Sequence, residues 1–520
     1  MKKTLTYLFG ILTAFQIQAA TYFIAPNGSD GNAGTIDQPL GTIQFAVGKA
    51  KPGDILYVRA GTYKMAAQIN ITPANNGTAL GMIKLWAYNG EKPLLDFGTQ
   101  PLKSLLRGFV ITGDYWHLKG LEIAYADDNG IKLEGNYNII EQCVFHHNGD
   151  SGIQLGFGHT TNQNNPGNLC AYNKIINCDS YRNYDYDNYG SDADGFACKM
   201  HNGKGNIFYG CRAWENADDA WDLFETDWPV EIHHCWAWHS GDKAFFLPWH
   251  LEKTGKATTS FQGNGNGIKL GGDGAGGQSM GTHVVSRCVS FNNTKTTSVK
   301  GFDQNSHKGG IVLSHCLGFN NGYNFMFETS ASSGASNVFV NNVSIKGTRN
   351  DYEIVPGSTE TNNSWNLVGT VLAATTDYLD LTEDMAKAAR QADGSLPNNS
   401  FARLVAGSDL IDKGFKIDSV KYNGSAPDLG PYEFGTITTD LEEATLMSAY
   451  GFYPNPFLSG ITLKVPLAFN YTVSDLEGKV VEQGKGEGEL TIGENYQPGL
   501  YLIKIESAQG GKTIKASKLR

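Results

Sequence analysis

Five side chains of this sequence could do chemistry together: Asp194, Asp218, Asp219, Asp222 and Lys269. They fall in or beside short segments of one shape, SGIQL, DGFACK, DAWDLF, NGIKLGG, KGFDQ and YNFMF. Aligning these on the residue after the first apolar position gives Gln154, Ala197, Asp222, Lys269, Asp303 and Met326. The flanking pairs Ile153/Leu155, Trp221/Leu223 and Ile268/Leu270 are apolar, so strand alternation turns the flanks inward and the aligned residue outward. Three residues earlier stand Asp194, Asp219 and Asn266, with Asp218 beside Asp219. If the segments are successive rungs of one sheet, Asp222 and Lys269 lie one strand spacing apart, about 4.8 Å. Four carboxylates then share a small patch. Like charges so close raise one another's pKa, and a shared cation relieves the repulsion. An all-oxygen ligand set suits Ca²⁺, and the lack of a His pair with a carboxylate argues against zinc, so calcium is the expected ion. Aspartates in DAD and ADD also make turns by themselves; it is the convergence of four by register that points to a metal. A lone surface lysine is ordinarily a solvated charge. One rung from a dication its pKa is lowered, which makes Lys269 a candidate general base.

Those rungs must come from a repeat, and the sequence carries one. NIIEQCVFHHNG, KIINCDSYRNYD, NIFYGCRAWENAD, EIHHCWAWHSGD, HVVSRCVSFNNT and IVLSHCLGFNNG restate one phrase around Cys143, Cys178, Cys211, Cys235, Cys288 and Cys316. Three residues on comes a ring (Tyr181, Trp214, Trp238, Phe291, Phe319, with His146 in the first copy); five on comes Asn148, Asn183, Asn216, Asn293 or Asn321, with Ser240 the exception. A β-branched run, a small residue, a ring and an Asn turn, repeated every 24 to 35 residues with one gap of 53, is what stacked coils of a right-handed parallel β-helix require. The ladder cysteines read as a free, buried stack, since Cys packs as a small hydrophobe. Cys170 and Cys198 lie outside it, and the sequence leaves their pairing open. One outward strand falls between every consecutive pair of ladder positions, so the gap of 53 needs no missing coil, and residues 243–263 read as an inserted loop.

Glycine is 63 of 520 residues, about 12% against a usual ~7%. With 40% hydrophobic residues and no G-X-Y period, the chain is turn-rich and globular, neither disordered nor collagenous. A net charge of −11 argues against a nucleic-acid partner. Residues 1–20, with Lys2, Lys3, an apolar run and Ala19-Ala20, read as a signal peptide. No later stretch has the roughly 18 apolar residues of a membrane helix, so no transmembrane segment is expected in an exported chain.

The strings SDADGFACK, CRAWENADDAWDLF, GNGNGIKLGGDG and KGFDQNS resemble signature strings of family 9 polysaccharide lyases, the pectate-lyase-like β-helix enzymes. The resemblance runs from about Thr21 to Glu433. It implies calcium carboxylates at Asp194, Asp218, Asp219 and Asp222 and a Brønsted base at Lys269, in agreement with the register. The reaction it implies is β-elimination on a uronic-acid polymer, such as pectate or rhamnogalacturonan, an acidic plant-type polysaccharide. Further candidates for contact with that substrate are Lys199, Asn266, Lys300, Asp303, Gln304, Asn305 and His307. The opening residues, TYFIAPNGSDGNAGTIDQPLGTIQFAVGKAKPGDILYVRAGTY, resemble the entry of secreted β-helix enzymes, where a short helix caps the first coil.

Two other readings compete. An inverting hydrolase of the polygalacturonase type would use paired carboxylates and a water; it leaves Lys269 without a role. A non-catalytic, surface glycan-binding β-helix would bind calcium without turnover. From about Asp351 to Phe434 the repeat is absent, and the segment reads as a cap over the last coil, where exposed strand edges would otherwise aggregate. The expected organisation is an all-β chain: a β-helix catalytic domain with its cap at 21–435, a linker at 436–449 and a small β-sandwich at 450–520. YPNPF, DLEGKVV, GLYLIKI and the KLR tail resemble the C-terminal sorting domain of type IX secretion substrates, which implies that machinery as a partner and a secreted or surface-attached location. A carbohydrate-binding module is the alternative, with few exposed rings to support it. Nothing gives a reason to expect a dimer, so a monomer is expected.

Overall fold

The computed structural model describes residues 19–157, 169–272, 281–294, 298–332, 335–367, 372–417, 421–435, 451–453, 460–475, 478–507 and 510–518. Three parallel sheets wind around one axis as a right-handed β-helix. Sheet A has 12 strands, from Thr21–Ile24 to Thr359–Thr361. Sheet B has 10, from Gly61–Lys64 to Val343–Ile345, and sheet C has 10, from Ile69–Ile71 to Asn350–Ile354. Each full coil gives one short strand to each sheet. Inward residues such as Ile140, Phe145, Ile153 and Leu155 fill a continuous dry core. The helix continues past the repeat phrase, by two rungs in sheet A (Asn337–Val340 and Thr359–Thr361) and one each in sheets B (Val343–Ile345) and C (Asn350–Ile354).

The turns explain the ladder phrase. In the six coils that carry the ladder phrase only two residues intervene between sheets A and B, and the one before each ladder cysteine is left-handed: Gln142, Asn177, Gly210, His234, Arg287 and His315. A second left-handed residue follows sheet B: His147, Arg182, Glu215, His239, Asn292 and Asn320. A non-glycine residue there costs of order 1 kcal/mol or more. The stacked side chains offset it. Asn183 Nδ2 donates to Asn216 Oδ1 (2.9 Å) and Asn293 Nδ2 to Asn321 Oδ1 (2.9 Å). Rings stack from Tyr181 to Trp214 (centroids 4.6 Å), Trp238 (5.0 Å), Phe291 (5.4 Å) and Phe319 (4.8 Å). All eight cysteines are free and buried, Cys170 and Cys198 included. A second amide ladder, Asn138, Asn173 and Asn206, enters sheet A. Its signal is an Asn shortly before three successive sheet-A cores, in YNII, YNKII and GNIF.

Helix α1 (Ile43–Lys49), started by the Thr42 side chain, buries Ile43, Ala46 and Val47 at the N-terminal end, as the opening residues led one to expect. The inserted segment is not all loop. Residues Lys243–Thr254 form helix α2, capped by Asp242 and by left-handed Gly255. Pro248 lies inside it, and a proline in a turn-rich stretch reads as a breaker, which hid the helix. Phe246 and Trp249 of α2 pack on Tyr184, Tyr186, Ala193 and Ala217. Ala193 and Ala217 directly precede Asp194 and Asp218, so α2 braces the turns that carry the carboxylates.

The segment expected to cap the last coil touches it through Phe415 and Lys413, but most of it runs back along the outer face of sheet B. Residues of 372–417 and 421–434, including helix α3 (Glu383–Lys387), cover the apolar face made by Trp236, Trp238, Phe291, Leu317 and Val343. Arg390 anchors its far end on Asp179 at 2.7 Å. The reason is that sheet B presents Trp236, Trp238, Phe291 and Phe319 outward, an apolar face that needs covering. The C-terminal strands Gly451–Tyr453, Ile461–Asp475, Val480–Ile492, Gly499–Ser507 and Gly510–Lys518 form a small β domain, their pairings making one five-stranded antiparallel sheet among the described residues. Its core includes Leu463, Phe469, Val473, Ile503 and Ile505. The expected signal peptide (up to residue 18) and the linker 436–449 lie outside the described residues. Among the described residues no helix is long and apolar enough to cross a membrane.

Candidate active site

The register read from sequence is the register of sheet C. Gln154 pairs with Ala197, Ala197 with Asp222, Asp222 with Lys269, Lys269 with Asp303, and Asp303 with Met326. All six face away from the core. Beside this row the turns into sheet C make their own ladder. The Asp219 N–H donates to Asp194 Oδ1 (3.2 Å), the Asn266 N–H to Asp219 Oδ1 (2.9 Å) and the Lys300 N–H to Asn266 Oδ1 (3.0 Å). Gly195 and Gly267 follow this ladder where the coils leave no room. A Cβ on Gly195 would sit 2.7 Å from Ala213 Cβ, and one on Gly267 2.0 Å from Ser290 Oγ.

Asp194, Asp219 and Asp222 each offer an oxygen, and the three lie within 4.8 Å of one another, all buried. Asp218 is also buried but turns aside, its Oδ1 accepting from the Asn264 N–H at 2.5 Å. Two ammonium groups stand among these carboxylates. Lys269 Nζ lies 3.1 Å from Asp219 Oδ2 and 3.2 Å from Asp222 Oδ1, while Lys199 Nζ lies 2.6 Å from Asp194 Oδ2 and 3.4 Å from Asp222 Oδ2. Burial pushes Asp194, Asp218 and Asp219 above the usual carboxylate range, and neighbouring aspartates push the same way against the lysines. Burial alone would lower Lys269, but Asp222, Asp219, Asp218 and Asp194 outweigh it and hold it well above its ordinary value. The carboxylates by themselves therefore keep Lys269 protonated, opposite in sign to the effect of a nearby cation.

These residues fit a hard dication. If all four carboxylates are ionised, they outnumber the two ammonium groups by two charges, and a dication would offset the push that burial and mutual repulsion give toward the neutral acids. Asp219 Oδ2 is buried and, among the described residues, has only the Lys269 ammonium, 3.1 Å away, beside it. An all-oxygen set with one such oxygen is what calcium coordination uses.

The residues expected to touch substrate divide. Lys269 is 9% exposed and opens on the outer face of sheet C. Lys300 and Asn305 are partly exposed beside it; Lys300 pairs with Asp303 at 3.1 Å, and Asn305 Nδ2 donates to Gly271 O. Asn266 and Asp303 are buried, each accepting a backbone N–H. Lys199 is an interior ion-pair member and no free cation. Gln304 and His307 are buried in the turn and do not open on that face. Gln304 spends its amide on His307 O, Thr329 O and the Thr329 N–H, and His307, fully buried, lies against Gly281 O and Gly310 O and stacks on His283. They build the turn after the Asp303 strand. A polar run after an outward strand looks the same in sequence whether it binds substrate or closes a turn.

A β-helix with a buried carboxylate cluster and a lysine on its outer sheet marks a polysaccharide lyase of the pectate-lyase type, and comparison with known proteins bears this out. Residues 22–344 match the family described as Pel9A-like, right handed beta helix region, and the chain belongs to that family. Residues 451–518 match a secretion system C-terminal sorting domain, so the chain is marked for secretion or export to the cell surface. The chain is 37% identical over 419 residues to Pectate lyase L of Dickeya chrysanthemi, covering 79% of this chain and 90% of that one. It is 37% identical over 408 residues to Pectate lyase L of Paenibacillus polymyxa (76% and 84%). The crystal structure of pectate lyase Pel9A superposes with a TM-score of 0.69 at 35% identity, over 81% of this chain and 98% of that one. A rhamnogalacturonan lyase follows at 0.63 and 25%, over 75% and 97%. The hydrolase and the non-catalytic reading are thereby set aside.

Proposed function

We propose that the chain is a calcium-dependent lyase of a uronic-acid polymer, pectate first, with Lys269 as the base. The observation that carries this is the pairing of Lys269 with Asp222 on adjacent rungs, next to the carboxylates of Asp194, Asp218 and Asp219. Asp194, Asp219 and Asp222 would hold the ion, with Asp218 completing the charge. Bound calcium would supply neutralisation of the substrate carboxylate, acidify the C5 proton and offset the charge that keeps Lys269 protonated. Lys269 is held by Asp219 and Asp222 within reach of a sugar lying on sheet C, and its exposure is toward that face. Its neutral amine takes the C5 proton. The freed electron pair forms the C4–C5 double bond as the C4–O glycosidic bond breaks, leaving an unsaturated uronate and a new chain end.

Pectate is preferred because the most extensive relatives are named pectate lyases; the rhamnogalacturonan lyase neighbour supplies the second substrate to assay. A monomer is the oligomeric state proposed. Residues 1–20 act as a signal peptide, 21–435 as the catalytic unit and 450–520 as the tail read by the type IX machinery. The test is a digest of polygalacturonate and of rhamnogalacturonan, with calcium or with chelator, read for unsaturated product. Unsaturated ends formed only with calcium support the reading; reducing ends without unsaturation contradict it.

A further inference from the structure

We infer that Lys132 is a distal subsite for a substrate carboxylate, on the N-terminal side of the catalytic lysine, so that the polymer lies mainly along the earlier rungs of sheet C. This rests on the proposed uronate substrate. Lys132 sits in the strand Ile131–Leu133, whose Ile131 and Leu133 are in the core, so its side chain takes the outward direction shared by Asp222 and Lys269. The pairing Lys132, Gln154, Ala197, Asp222, Lys269 puts it four rungs from Lys269 in the same row, about 19 Å along the axis at 4.8 Å per rung.

Its surroundings ask for an anion. Lys132 is only 6% exposed, yet among the described residues its ammonium has no ion pair and no hydrogen bond. An unpaired buried cation is costly, and a fold keeps one where a ligand supplies the missing charge. Burial lowers the pKa of Lys132; Glu134 and Asp150 favour its charge without touching it, and Arg107, itself paired with Asp128 at 3.5 Å, opposes it, so an anion bound there would hold the proton on. The rungs between are suited to a sugar chain. Gln154 has its Oε1 held by Asn129 Nδ2 at 3.3 Å, while its Nε2 meets only Met200 Sδ at 3.7 Å. Ala197, the smallest side chain in the row, leaves space beside Asp222. On the other side of Lys269 the row offers Asp303, whose charge is taken by Lys300, then Met326 and Glu353. The outer rungs of the row thus offer a lysine and an amide donor before the reaction centre, and a methionine and a glutamate after it.

The test uses the full chain carrying Lys269→Ala, which binds without turnover, and calorimetric titration with oligogalacturonates of increasing length in calcium. Affinity should rise in a step when the oligomer becomes long enough to reach Lys132, and Lys132→Met should lose that step, about tenfold for one charge-assisted contact. Because the substitution removes an unpaired buried charge, the thermal midpoint should stay level or rise. Lys132→Arg should keep the step. A step that survives in Lys132→Met, or is lost equally in Lys132→Arg, overturns the subsite. Binding with no dependence on length overturns it while leaving the substrate class intact, and no binding at any length overturns both.

Discussion

Replacing Asn183 by alanine should destabilise the β-helix by about 3 kcal/mol and weaken the active site with it. Asn183 Oδ1 accepts from the Asn148 N–H (3.1 Å) and Nδ2 (3.0 Å), and its Nδ2 donates to Ser180 Oγ (3.1 Å) and Asn216 Oδ1 (2.9 Å). All these groups are buried. Four hydrogen bonds at a net ~1 kcal/mol each give about 4 kcal/mol, and the orphaned Asn148 N–H adds to it. Partial rescue lowers the figure, since Asn148 Nδ2 also reaches Ile123 O and Ser180 Oγ keeps Gly195 O, hence ~3 kcal/mol. Ser180 is the link to function: its hydroxyl holds Gly195 O at 2.7 Å, one residue from Asp194. Equilibrium urea unfolding followed by tryptophan fluorescence reads the stability, and calcium titration reads the site. A loss under about 1 kcal/mol with unchanged denaturant slope would show that the ladder does not carry the energy assigned to it.

Ser240 breaks the same ladder, with its Oγ buried and unpartnered while its N–H donates to Asn293 Oδ1; Ser240→Asn should bridge Asn216 to Asn293 and raise stability by about 1 kcal/mol, read by the same unfolding curve. Asp222→Asn should weaken calcium binding at least tenfold in calorimetry, since it removes one of three converging charges, and an unchanged affinity would place the ion elsewhere. Arg390→Ala should loosen the strap along sheet B, because it removes the strap's contacts to Asp179, Cys178 O and Gly210 O while Arg212 still pairs Asp179, and limited proteolysis should then cut faster between 372 and 434. Glu383 supplies a pH test. Burial opposes its charge, but contacts from His239 and Asn292 win and hold it at about 2, below the ordinary 4.5. A depressed carboxylate stabilises above its unfolded pKa and loses that contribution as pH falls from about 4.5 toward 2. Discounted for its half-buried position the contribution is about 1–2 kcal/mol, so Glu383→Gln should cost that at pH 6 and little at pH 2.5 in urea midpoints.

The core of the site was legible because a β-helix turns sequence into register. Once the ladder phrases at Cys211, Cys235 and Cys288 were recognised, Asp222 and Lys269 had to be neighbours, and sheet C pairs them so. The ring and Asn stacks followed from the same phrase. What was not legible lies where register says nothing. Helix α2 has a proper Asp cap and Gly stop, but Pro248 and its place inside an insertion disguised it. The strap's path depends on which outer face is most apolar, a property of five coils together. Asp218 and Asp219 are adjacent in sequence, and only the turn geometry decides that Asp219 joins the oxygen cluster while Asp218 faces Asn264. The buried roles of Gln304 and His307 likewise depend on a turn that the alternation of sheet C does not reach.

The most direct test of the account is the ultraviolet absorbance of polygalacturonate digests by the wild type and by Lys269→Ala, each with calcium and with chelator. The account predicts a rise from the conjugated unsaturated uronate for the wild type in calcium alone, and loss of about 10²-fold or more in rate for Lys269→Ala with calcium affinity retained. A Lys269→Ala enzyme that still forms unsaturated product at the wild-type rate would contradict the assignment of the base, and wild-type activity undiminished by chelator would contradict the assignment of the ion.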